Sequence, residues 1–156
     1  MSFRVVGLPS SLFRPLYGLS EEELAVRGVE VTVADSSPGY PCRVSLRDAP
    51  VGARMLLLNF EHQPADTPYR SRHAIFVQDG AEEWVPGVDE VPEVLGRRTL
   101  SVRAFDAGGQ MLDGVVVSGR EAGPVFERLL AVPRAAYLQV HNAGRGCYAA
   151  RVERAA

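Results

Sequence analysis

Two stretches of this chain gather side chains that could do chemistry. The first is "HNAGRGCY", residues 141–148, where His141 and Cys147 flank a glycine-rich turn. A histidine beside a cysteine can take the thiol proton and raise a nucleophilic thiolate, so His141 and Cys147 are the candidate catalytic pair. The two could also ligate a metal. In the plainest reading they are only neighbours, the histidine satisfied by backbone and the cysteine packed. The neighbour reading is preferred, the thiolate comes next and the metal last. His62, His73 and Cys42 are the remaining histidines and cysteine, and none stands at C-x-x-C or H-x-x-x-H spacing. No metal is therefore expected.

The second stretch is "NFEHQPADTPYRSRHAIFV", residues 59–77. Glu61 and His62 leave one apolar run, and Tyr69, Arg70, Arg72 and His73 enter the next. Arg70 and Arg72 stand two apart on an extended segment and share a face, a fork suited to carboxylate or phosphate. Glu61 or His62 adds acid–base capacity, and Tyr69 lies at the edge of the same loop. In the plainer reading these arginines are solvated or paired with nearby acids. A third stretch, from Asp79 to Glu93, holds six acidic residues, no basic one, and Trp84. It could dock a partner with Trp84 as anchor, but a tryptophan folded back as a lid is preferred.

Local patterns place these residues. "LSEEELAVRG" carries Ser20 as N-cap, Glu23 closing a capping box, and Gly28 as terminator, which predicts a helix. "GPVFERLLAVP" predicts a second helix, with Pro124 in its first turn and Phe126, Leu129 and Leu130 on its apolar face. "FRVVG", "VEVTVA", "CRVSLRD", "RMLLLNF" and "HAIFVQ" read as strands, with "EHQPADTPYR" as a loop between the last two. "RMLLLNF" is apolar on both faces and is placed centrally in the sheet. "TLSVRAFDAGGQMLDGVVVSG" reads as one hairpin and "AAYLQVH" with "CYAARVE" as another.

Alternation sets the register expected of that last hairpin. Leu138 and Val140 share a face with Tyr148, Ala150 and Val152. Tyr137, Gln139 and His141 share the other with Cys147, Ala149 and Arg151. A five-residue loop, "NAGRG", then puts His141 opposite Cys147 and Tyr137 opposite Arg151.

A chain of 156 residues that is 46% hydrophobic and 23% charged suits one folded domain spanning residues 1–156. The net charge of -2 offers no general attraction to nucleic acid or to an anionic membrane, and neither partner is expected. All 17 basic residues are arginine, the mark of a GC-rich genome; the absence of lysine excludes Schiff-base catalysis by a side chain. G-x-G-x-x-G, G-x-x-x-x-G-K-[ST] and G-x-S-x-G are all missing, so no nucleotide cofactor is expected. Two cysteines make no disulfide framework, and no apolar stretch is long enough for a leader or a membrane span. A cytoplasmic protein with free thiols is the expectation.

"PGYPCRVSLRDAP", "LLLNFEHQPADTPYRSRHAIFV" and "YLQVHNAGRGCYAARVER", together with "FRVVGLP", resemble a bacterial family of domains of unknown function, number twelve hundred and three. The resemblance implies a bacterial, stand-alone domain of about this length. The family has no established activity, so the resemblance assigns no catalytic residue. It also implies no general role for His73, where glycine is common.

The expectation is thus an α+β domain, mainly antiparallel sheet with two helices and a long acidic excursion loop. Its function is expected to be binding of a small anionic ligand, with Arg70, Arg72, His62, Glu61 and Tyr69 around it. A thiol-dependent or hydrolytic enzyme using His141 and Cys147 is one alternative, and an interaction module using the Trp84 loop another. No cofactor is expected, and the residues set no oligomeric state.

Overall fold

The computed structural model describes residues 2–155. Among them, strands β1 (Phe3–Val6), β2 (Glu30–Val33), β3 (Arg54–Gln63), β4 (Ser71–Gln78), β5 (Thr99–Phe105), β6 (Met111–Ser118), β7 (Tyr137–Asn142) and β8 (Tyr148–Arg154) alternate with helices α1 (Glu21–Val26), α2 (Glu93–Gly96) and α3 (Ala122–Leu130). The strands form two sheets, β1-β8-β7-β5-β6 and β2-β3-β4, with antiparallel pairing throughout both. The class is α+β. Among the described residues no helix is long and apolar enough to cross a membrane.

The main core lies on one face of the larger sheet. Leu100 and Val102 of β5, Leu138 and Val140 of β7, and Ala150 and Val152 of β8 turn to that side, and α3 covers them with Phe126, Leu129 and Leu130. The helical residues recur at i, i+3 and i+4, which makes one stripe. Phe126 also meets the Phe3 ring edge-on, centroids 5.3 Å apart. Each such side chain taken out of water contributes about 2 kcal/mol.

The other face of β5 and β7 is polar: Ser101 and Arg103, then Tyr137, Gln139 and His141. It is nevertheless covered, because the smaller sheet packs there, and Tyr137 through His141 are all buried. Cys42, Val44, Ile75, Val77 and Tyr148 form a second apolar cluster between the layers. The candidate site lies in the polar part of this interlayer.

α1 forms as its caps dictate. The Ser20–Glu23 capping box is present, and Gly28 closes the helix at φ 73°. Leu24 is its buried contact, against Val29 and Leu56.

Three expectations are corrected. "CRVSLRD" is no strand: Leu46 takes φ 52° and its N–H bonds back to the Cys42 carbonyl at 3.0 Å, closing a turn. That turn sends Arg43 inward with Cys42, Val44 and Leu46, where alternation would have sent it out. β3 does not stop at Phe60; it runs on through Glu61, His62 and Gln63. In the last hairpin, His141 stands opposite Tyr148 rather than Cys147, and Arg151 stands opposite Gln139 rather than Tyr137. Ala149 is an extra residue bulged out of the ladder there, and a bulge is invisible to strict alternation.

Residues 79–92 contain no helix or strand. Their carboxylates reach back to the body: Glu83 accepts the Ser10 N–H at 2.7 Å, Asp89 accepts the Phe3 N–H at 2.9 Å, and Asp79 pairs with Arg54. The Trp84 backbone N–H donates to the Val44 carbonyl at 3.0 Å, and its side chain packs against the main core. Beyond β6, Gly119 donates to the Arg98 carbonyl at 2.7 Å, so close that an added β-carbon would stand 1.9 Å from the Leu95 oxygen.

Candidate metal centre

The chain has three histidines, and the fold brings all three together. His62 arrives through a second bulge. Glu61 pairs with Arg72 and Gln63 with Ser71, so His62 is the extra residue of β3. Normal alternation would bury one of His62 and Gln63 and expose the other. The bulge buries both. His73 comes from β4, opposite Phe60, and His141 from β7 across the interlayer.

Ring centroids lie 4.8 Å apart for His62 and His73, 5.0 Å for His62 and His141, and 5.3 Å for His73 and His141. Tyr148 stacks on His62 at 4.8 Å, which the bulge at Ala149 makes possible by turning Tyr148 to the polar side.

The hydrogen bonds assign the tautomers. Gln139 donates from Nε2 to the His62 carbonyl at 2.9 Å and to Gln63 Oε1 at 3.0 Å, so its Oε1 faces His62 Nδ1, 2.7 Å away. Nδ1 of His62 therefore donates, and its Nε2 is a bare lone pair. That lone pair lies 2.6 Å from His73 Nδ1, and a single proton sits between them. His141 donates from Nδ1 to the Gly146 carbonyl at 3.0 Å. Its Nε2 is buried and has no hydrogen-bond partner among the described residues. Leaving such a group unpaired costs about 1–3 kcal/mol.

Electrostatics keep the rings neutral. Burial pushes His141 down to about 3, and the Arg103 charge adds to the effect. Burial likewise pushes His62 down to about 4, while its bond to Gln139 opposes the shift. His73 is also lowered, first by burial and then by Arg103 and Arg43. Neutral imidazole is the form that ligates metal.

One nitrogen from each ring can be chosen so that all three lie within 4.8 Å of one another. Nitrogens bound at ~2.0–2.1 Å in a tetrahedral shell stand about 3.3 Å apart, so modest ring rotations would close the set on one ion. Gln139 and the Gly146 carbonyl already hold the far nitrogens of two rings, which is how ligating histidines are commonly oriented.

The other candidate residues sit elsewhere. Glu61 and Arg72 pair across β3 and β4 on the face opposite His73. Glu61 accepts from Arg70 at 3.3 Å and from Arg72 at 3.4 Å, and Arg72 also bonds Asn59 at 2.5 Å. Tyr69 is exposed beside them. Cys147 is half-buried, and its Sγ accepts from Arg43 Nη2 at 3.1 Å. Arg43 is itself buried and bonds the Tyr148 and Pro41 carbonyls, both at 2.7 Å. Among the described residues, the histidine–cysteine hydrogen bond of a thiolate pair is not formed; the Nδ1 proton of His141 goes to Gly146 instead.

Sequence reasoning passed over Gln139, Arg43 and Arg103. The one signal for Gln139 was its place between Tyr137 and His141 on a polar strand face. Arg43 carried no signal, because alternation turned it away from Cys42, Val44 and Leu46, and Arg103 was read only as part of a hairpin strand.

A family model described as "Protein of unknown function (DUF1203)" matches residues 39–154. The chain belongs to this family. The matched span of DUF1203 includes all three histidines, Arg43, Arg103, Gln139 and Cys147. No curated protein and no solved structure matches the chain.

Proposed function

We propose that this DUF1203 domain binds a divalent transition-metal ion, of the zinc class, through His62, His73 and His141. The observation that carries this reading is the unpartnered Nε2 of His141, fully buried and grouped with the lone pair of His62 and the nitrogen of His73. Imidazole donors suit zinc, cobalt, nickel and copper. Three protein ligands leave one position for a further molecule, the pattern of working rather than purely structural zinc sites. The two free thiols fit a reducing compartment, so cytoplasmic residence is part of the proposal.

Calorimetric titration of chelator-treated protein with zinc or cobalt tests it. One ion per chain is expected, with affinity at least ten-fold weaker in His73→Ala, whose half-buried ring can be removed without opening the core. Equal uptake by wild type and variant, or none by either, refutes the site.

A thiol-dependent reading keeps one supporting observation, the buried Arg43 guanidinium 3.1 Å from Cys147 Sγ. It predicts that folded protein reacts with iodoacetamide at Cys147 faster than the urea-unfolded chain does. Cys42 is 1% exposed and does not compete in the folded state. Slower reaction in the folded state argues against a catalytic thiol. The packing of Trp84 on the main core supports a lid in place of a partner anchor.

A further inference from the structure

The proposed ion does not explain Arg103. This residue stands on β5 directly opposite Gln139, and Ser101 stands directly opposite His141. Ser101 and Arg103 are two apart and so share one sheet face, the face that carries the histidine centre. The Arg103 side chain makes one long bond, Nε to Ser101 Oγ at 3.3 Å. Among the described residues no carboxylate lies within salt-bridge distance of it, and neither Nη atom has a hydrogen-bond partner. Arg98, by contrast, grips Asp48, and Arg154 caps the Leu130 carbonyl.

Arg103 is also badly placed for a site that takes a bare cation. Its charge acts on all three imidazoles, that of Arg43 acts on His73, and no carboxylate is among the groups acting on any of the three. Two fixed positive charges next to a divalent ion repel it, and burial strengthens the repulsion. An anion between ion and guanidinium relieves this. It can take the open position on the metal with one oxygen and present another to the planar Nη fork, which matches carboxylate or phosphate geometry.

We infer that the ligand of the histidine centre is a small anion, carboxylate or phosphate, bridging the bound metal and Arg103. This rests on the metal reading above and names the chemical class of its ligand. The oxyanion-binding arginine is then Arg103, on the larger sheet, and not the Arg70–Arg72 pair, which is closed on Glu61.

The test uses cobalt(II) as the metal, with acetate, oxalate and inorganic phosphate as separate probes. Cobalt absorption and calorimetry are read on wild type, Arg103→Met and Arg103→Lys. In wild type at least one anion should alter the cobalt spectrum and tighten cobalt binding ten-fold or more. Arg103→Met should bind cobalt alone at least as tightly as wild type, since a repelling charge is gone, yet lose most of the anion effect. Arg103→Lys, which keeps the charge without the fork, should fall between the two. If wild type takes up cobalt and no probe changes its spectrum or affinity, the anion inference is wrong and the metal site stands. The same holds if Arg103→Met responds to anions as wild type does. If wild type takes up no cobalt with or without anions, both readings fall. Thermal midpoints of the variants show whether they are folded.

Discussion

Gln139 holds His62 at two points: its Nε2 donates to the His62 carbonyl at 2.9 Å, and its Oε1 accepts a hydrogen bond from His62 Nδ1 at 2.7 Å. One amide thereby fixes both the backbone of a bulge and the orientation of the ring that the bulge delivers. Gln139→Ala should weaken metal binding roughly 10–100-fold, the usual loss when a ligand's supporting hydrogen bond goes. It should also lower stability by about 1–3 kcal/mol, because buried donors and acceptors lose their partner. Cobalt titration and urea unfolding check the two effects separately.

The metal-free protein should lose stability on acidification. His62 and His141 sit near 4 and 3 when folded, against about 6.5 in the unfolded chain. Between these values the unfolded chain binds more protons than the native state, so stability falls as pH falls. The loss begins near pH 6.5 and continues to about pH 4 for His62 and about pH 3 for His141, at up to ~1.4 kcal/mol per pH unit for each ring. Urea midpoints in chelator-containing buffer would show it, and substituting His141 by Phe should flatten the slope. A slope that stays the same in that variant counts against a neutral, buried His141.

Trp84 is the one tryptophan in the chain, which makes it a clean reporter. Its ring packs on the main core, so its emission should be blue-shifted and shielded from acrylamide until the protein unfolds. Exposed-type emission in the native state would mean that the segment does not close over the core.

Gly119→Ala should be strongly destabilising, by about 2 kcal/mol or more, because the new methyl would meet the Leu95 carbonyl 1.9 Å away and backbone must shift to relieve it. Gly18→Ala meets no atom within 4 Å and is the comparison, its cost limited to the backbone strain of φ 75°. Thermal unfolding of the two variants separates steric clash from conformational strain.

What could be read from residue order was whatever obeys a single period. The capping box of α1, the 126–129–130 stripe of α3 and the strand–turn–strand order of both hairpins follow from local rules and form as those rules direct, whereas the register of the last hairpin does not. The centre escapes them because it is assembled where periodicity breaks. The bulge at His62 turns two consecutive polar residues inward, and the bulge at Ala149 exchanges Cys147 for Tyr148 opposite His141. The turn at Leu46 drives Arg43 inside. His62 and Arg43 each end against a segment far away along the chain, Gln139 and Cys147 respectively, and no window of local sequence contains both members of either pair. Spacing along the chain was thus the wrong ruler for a site whose histidines come from separate sheets.

That separation has a mechanical side. His62 and His73 belong to the smaller sheet and His141 to the larger, so an occupant of the centre would tie the two layers together in addition to the packing between them. It would act as a removable cross-link, closing a long loop of chain much as a disulfide does but reversibly. At a hundred times its dissociation constant it would add about 2.7 kcal/mol to the native state. The gain would be concentrated at the seam, where backbone amides of β3 and β7 would exchange with deuterium more slowly in the loaded protein than in the empty one.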